Sequence, residues 1–146
     1  MDQDTIRRVN DFLKRVTQLT RGGREGGGRH PHKFFLLLAF ADMIAEGLTN
    51  ENEIPVNDTL KGLFEDYWNT YEPHTKVGDI AMPLRRLSRD GIWELADPGL
   101  HGREVSFARI KRDSPNGKLA KDWYDFFSNP ACRQAFKENL TRYYFT

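Results

Sequence analysis

Residues 34–41 (Phe34, Phe35, Leu36, Leu37, Leu38, Ala39, Phe40, Ala41) form the one stretch of the chain without a polar side chain for eight positions. Met43 and Ile44 extend it past a single aspartate. Eight residues are too few to cross a bilayer, which takes about 20. As a helix, the run is apolar on most faces, and such a helix must be surrounded by others. It is expected to be the central helix of the core, opened by Pro31 and ended by Gly47.

The rest of the chain supplies elements to wrap it. Ile6, Val9, Phe12, Leu13, Val16 and Leu19 recur in steps of three and four, which predicts a helix over 4–19. Residues 20–29 carry five glycines among basic residues and read as a flexible loop. Residues 54–56 are extended. Asn57 or Asp58 can cap a helix through Tyr71, with Leu60, Leu63, Phe64, Tyr67, Trp68 and Tyr71 as its stripe. A short helix follows over 80–89, closed by Asp90-Gly91. Residues 92–95 and 104–110 alternate and predict the two arms of a β-hairpin or wing. Residues 113–117 read as a turn, and helices are expected over 118–127 and 130–143. The fold class is therefore mainly α, one helical domain over residues 1–146 with one small antiparallel β-hairpin, in a size range that supports one core.

Hydrophobic residues make up 38% and aromatic residues 12%, too many for a disordered chain. The start, Met-Asp-Gln-Asp, lacks a basic-then-apolar leader, and Cys132 is the single cysteine, so neither an internal disulfide nor a cysteine cage for zinc can form. A cytoplasmic protein with no membrane partner is expected. His30, His32, His74 and His101 have no metal-binding spacing, and no nucleophile elbow, P-loop or dinucleotide turn occurs. No metal, no cofactor, no catalytic residue and no enzyme activity are expected.

The net charge is +1, but the charge is segregated. Residues 42–72 hold eight acids against Lys61. Arg21, Arg24, Arg29 and Lys33, with His30 and His32, make one basic segment; Arg85, Arg86, Arg89, Arg103, Arg109, Lys111 and Arg112 make another. If the basic segments meet, they form an anion site, and phosphate is the usual anion. The His30-Pro31-His32-Lys33 segment also sits where a buried helix would begin. The free N–H groups and the partial positive charge of a helix N-terminus suit phosphate there. Solvated charged faces remain the alternative.

The sequence His30-Pro31-His32-Lys33-Phe34-Phe35-Leu36-Leu37-Leu38-Ala39 resembles the Pro-His-Lys/Arg-(x)-Leu-Leu-Leu-Leu signature of the DNA sulfur-binding domain. That module belongs to restriction endonucleases that recognise phosphorothioate DNA, in which sulfur replaces a non-bridging phosphate oxygen. Residues 80–87, Ile-Ala-Met-Pro-Leu-Arg-Arg-Leu, followed by Asp90-Gly91-Ile92-Trp93-Glu94-Leu95, are similar to the family's Tyr-Pro-Phe-x-x-Leu and Asp-Gly-x-Trp-x-Leu block. Phe64-Glu65-Asp66-Tyr67-Trp68 fits between them. The matches span roughly residues 21–95, with weaker cover to the end.

The resemblance implies a sulfur pocket formed by His32, Lys33, Met82 and Pro83, with methionine standing where the family has tyrosine. The expected DNA-binding surface is Arg21, Arg24, Arg29, His30, His32, Lys33, Ile80 and Arg85, to which the resemblance adds a contact from one of Arg103 or Arg109. Phosphorothioate double-stranded DNA is then the partner, with a nuclease domain or subunit acting beside this non-catalytic reader. Two other classes compete: a winged helix-turn-helix regulator of unmodified DNA using residues 80–89 and the hairpin, and a protein-interaction module using the acidic helix over 57–71.

Overall fold

A computed structural model describes residues 2–21, 31–100 and 104–145. The elements run α1 (Gln3–Arg21), α2 (His32–Ala45), β1 (Ile54–Pro55), α3 (Asp58–Tyr71), α4 (Ala81–Arg89), β2 (Trp93–Leu95), α5 (Phe107–Asp113), β3 (Asn116–Leu119), α6 (Lys121–Ser128) and α7 (Pro130–Phe145). The mainly helical class is as expected.

Helix α2 is the centre. Every side chain from 34 to 41 is buried, and so is Met43. Helices α3, α4, α6 and α7 pack around it. Its three phenylalanines and three leucines between 34 and 40 together contribute about 9–18 kcal/mol of gross burial at roughly 1.5–3 kcal/mol each. That gross figure matches the whole net stability of an ordinary domain, about 5–15 kcal/mol. The helix stops at Gly47, whose φ of +68° is the left-handed conformation open to glycine. There Leu48 N–H donates to the Met43 carbonyl and Gly47 N–H to that of Ile44, closing the helix end. Helix α3 begins as expected: the Asn57 side chain accepts from Leu60 N–H at 2.9 Å. On the far side, Phe12 of α1 stacks on Phe126 at 4.1 Å and meets Trp123 edge-on at 4.7 Å, fixing α1 to α6.

The β-structure differs from the expected hairpin. Residues 92–95 do hold a strand, β2, but 104–110 do not supply its partner. Ser106 accepts from Arg109 N–H at 3.1 Å and starts α5, so Phe107 and Ile110 are a helical step of three and not strand alternation. The partner of β2 is β3, in a segment that sequence reads as a turn running into a helix. An antiparallel sheet of order β1-β3-β2 results, with Ile54 opposite Gly117 and Trp93 opposite Leu119. Asn116-Gly117 has a turn's composition for another reason. A Cβ at Gly117 would lie less than 3.0 Å from the Trp93 ring, so the glycine makes room for cross-strand packing. Helix α6 consequently begins at Lys121 and not at 118. A wing built from 104–110, required by the winged helix-turn-helix alternative, is therefore absent.

The acidic segment is partly structural. The Tyr67 hydroxyl donates to Asp42 Oδ2 at 2.6 Å, and Lys137 Nζ lies 3.4 Å from Asp42 Oδ1. Burial, and then the Asp42 carboxylate, push the Tyr67 phenol well above its ordinary range. The unfolded phenol ionises near pH 10 while the folded one stays protonated, so this stabilisation is present below about pH 10 and is lost as pH rises beyond it. Tyr67→Phe should cost about 1.5–3 kcal/mol at neutral pH, the worth of a hydrogen bond to a charged group. Urea melts should show that cost shrinking above about pH 10. A difference that stays constant with pH would contradict the assignment.

Candidate nucleic-acid interface

The polar end of α2 meets the segment around α4. Pro31 is the N-cap of α2; it supplies no side-chain cap, and the first turn holds no acid. His32 follows, half-buried, with its ring 4.7 Å from Trp68 and at 72° to it. Trp68 is itself fixed, since its indole N–H donates to the Thr75 carbonyl at 3.2 Å. Gly78 closes over both rings. A Cβ there would stand 2.8 Å from Trp68 Cη2 and less than 3.0 Å from His32 Nε2. Lys33 reaches the other end of α4, where its Nζ donates to Asp90 Oδ2 at 2.7 Å. The first two residues of α2 thus span α4, His32 before its start and Lys33 at its finish.

The start of α4 is unlike most helix N-termini. Ordinarily the first N–H groups are unpaired and attract anions. Here Ala81 N–H donates to Asp79 Oδ1 at 3.0 Å, Met82 N–H to the Asp79 carbonyl at 3.1 Å, and Leu84 N–H to the Ile80 carbonyl at 3.1 Å. Pro83 has no N–H. From Ala81 to Leu84, every backbone N–H is engaged or missing. What this turn offers a ligand is the side chain of half-buried Met82, backed by the buried Ala81, Pro83 and Leu84.

Cations flank the turn. Arg85 is half-buried, and its Nε meets no acceptor among the described residues. Arg86 and Arg89 are exposed in the last turn of α4, where cations complement the helix dipole. Arg109 lies on α5, exposed, and shares Asp113 with Arg112, each Nε 2.9 Å from a carboxylate oxygen. Arg112, then Arg109, hold the Asp113 carboxyl down at about 2. Ile80, expected on the DNA surface, is 2% exposed and belongs to the core, because it precedes a helix whose apolar face packs on α2. Arg21 is the last residue of α1; its side chain, and Arg24, Arg29, His30 and Arg103, lie outside the described residues.

Sequence reasoning overlooked four contributors. Asp79 and Gly78 read as a turn, and Trp68 as one more member of a core stripe. Asp90 read only as a helix stop, and nothing local points to Lys33, 57 residues away. Cys132 is buried with its thiol pushed up by that burial, consistent with a packed and not a nucleophilic cysteine. Among the described residues, no helix is long and apolar enough to cross a membrane.

Compared with known families, residues 9–146 match the one described as ScoMcrA-like, DNA sulfur-binding domain. No curated protein matches the chain.

The packing of Gly78 can be tested directly. A Cβ at Gly78 would press on both rings, so Gly78→Ala should displace His32 against Trp68 and cost about 1–3 kcal/mol, as overpacking does. NMR should show the His32 ring protons losing the shift that the facing indole imposes. Unchanged ring shifts together with a wild-type melt would contradict the close packing of these three residues.

Proposed function

We propose, from the premise that the chain belongs to the ScoMcrA-like DNA sulfur-binding domain family, that it reads phosphorothioate-modified double-stranded DNA as a non-catalytic module. DNA binding goes with the family. The finer assignment is that His32, Lys33, Met82 and Pro83 hold the sulfur-bearing phosphate, and that Arg85 and the basic residues 21–30 hold the neighbouring backbone. Arg103 and Arg109 are the candidates for an outer contact, Arg109 at the expense of its pairing with Asp113. The whole of residues 1–146 would act as one such domain in the cytoplasm, delivering modified DNA to a nuclease domain or subunit.

The observation that carries the reading is the saturated first turn of α4. A phosphate oxygen needs N–H donors, and burying it without them costs roughly 1–3 kcal/mol. Sulfur is larger, softer and a poor acceptor, so it loses less against CH groups. Residues 81–84 withhold every N–H, and Met82, the one of the four that is not buried, presents its CH groups. Met82 also brings a polarizable thioether to the wall. The difference converts to a preference of about tenfold to a hundredfold for sulfur. Lys33 and the arginines supply affinity and salt dependence equally for both ligands.

Pro83→Ala adds an N–H in this turn, and its helical acceptor would be the Asp79 carbonyl already taken by Met82. That variant should lower the ratio of oxygen-DNA to sulfur-DNA dissociation constants by about tenfold at fixed salt. Met82→Tyr, which restores the family's residue, should keep or raise the ratio. Fluorescence anisotropy with matched duplexes reads both. A ratio left unchanged by Pro83→Ala, or lowered by Met82→Tyr, would contradict the sulfur pocket, even with DNA binding intact.

A further inference from the structure

Lys33 and Asp90 each occupy the unfavourable end of their own helix. Lys33 lies in the first turn of α2, at the positive end of its dipole. Asp90 is the C-cap of α4, at the negative end. Each charge is offset by the other across 2.7 Å, and the pair is largely covered, with side-chain exposures of 16% and 25%. The Asp90 carboxylate therefore already neutralises the Lys33 ammonium.

We infer that Asp90 is a positioning residue that competes with DNA phosphate for Lys33, and so sets how weakly the protein holds unmodified duplex. This rests on Lys33 being a phosphate contact, as proposed above. An ammonium already paired with a carboxylate releases less counterion charge on meeting a phosphate, so its contribution to salt-dependent affinity is reduced. Such affinity does not depend on sulfur. Unmodified sites vastly outnumber modified ones, and an undamped Lys33 would tie the protein up on them. The apolar wall contributes only about one to two decades of preference, so a low background matters. The partially covered setting makes the competition effective: the pair is less screened than one in open water.

The test uses the full chain, an unmodified duplex and a matched phosphorothioate duplex, with affinities measured over a salt series. Asp90→Asn keeps the shape and the cap while removing the charge. It should bind both duplexes about twofold to fivefold more tightly at low salt, the worth of one released ion pair. Its plot of log affinity against log salt should be steeper by about 0.9, so that affinity falls about 3.5-fold more than wild type between about 50 and 200 mM. Asp90→Ser, a second neutral variant, should behave alike, and either needs only a wild-type melt to be read. In the Lys33→Ala background, Asp90→Asn should give no gain.

Three results are decisive. A gain in affinity with a steeper slope, lost in the Lys33→Ala background, supports the inference. If Lys33→Ala weakens binding but both neutral Asp90 variants match wild type or bind less well, Asp90 merely holds the fold, and the Lys33 contact stands without it. If Lys33→Ala changes neither affinity nor slope, the phosphate contact itself fails and the inference falls with it.

Discussion

The molecule is organised by the burial of a helix that has no polar face. Side chains 34–41 of α2 must all leave water, so neighbours are needed on every side, and α3, α4, α6 and α7 supply them. A helix enclosed in this way can expose only its ends. Its C-terminal end is closed by the turn at Gly47. Its N-terminal end brings Pro31, His32 and Lys33 to the rim of the core, beside α4. The site is where it is because the core leaves that end of α2 uncovered.

Two helix N-termini then divide the chemistry. Helix α2 begins with a histidine and a lysine, and no acid lies in its first turn, which suits an anion. Helix α4 begins with its N–H groups engaged by Asp79 and Ile80 or deleted by Pro83, which suits a soft, weakly accepting atom. An ordinary phosphate would be content with the first feature. On the proposed reading, a phosphate carrying one sulfur would use both. The arginines on α4 add attraction that does not distinguish the two ligands.

Much of this is legible in the sequence where the signal is local. The apolar run 34–41, the Asn57 cap and the stop at Asp90-Gly91 each rest on residues within a few positions, and each was placed to within a residue or two. The family resemblance also proposes His32, Lys33, Met82 and Pro83 as a pocket, and the duplex-binding measurements test that assignment. What escaped is non-local. Gly117 reads as a turn residue because its true constraint is the Trp93 ring on another strand. Residues 105–110 fit either period, and only the Ser106 cap selects the helix. Ile80 looks available as part of a basic segment, yet packing removes it. The pairing of Lys33 with Asp90 depends on how α2 and α4 cross, which no spacing encodes.

The central claim is that the N–H-depleted turn at Met82 and Pro83 distinguishes sulfur from oxygen on an otherwise identical duplex. The most direct test is a pair of dissociation constants for the wild-type chain at one salt concentration, on duplexes differing in a single phosphorothioate. The account predicts that the sulfur duplex binds about tenfold to a hundredfold more tightly. Equal constants for the two duplexes would contradict it.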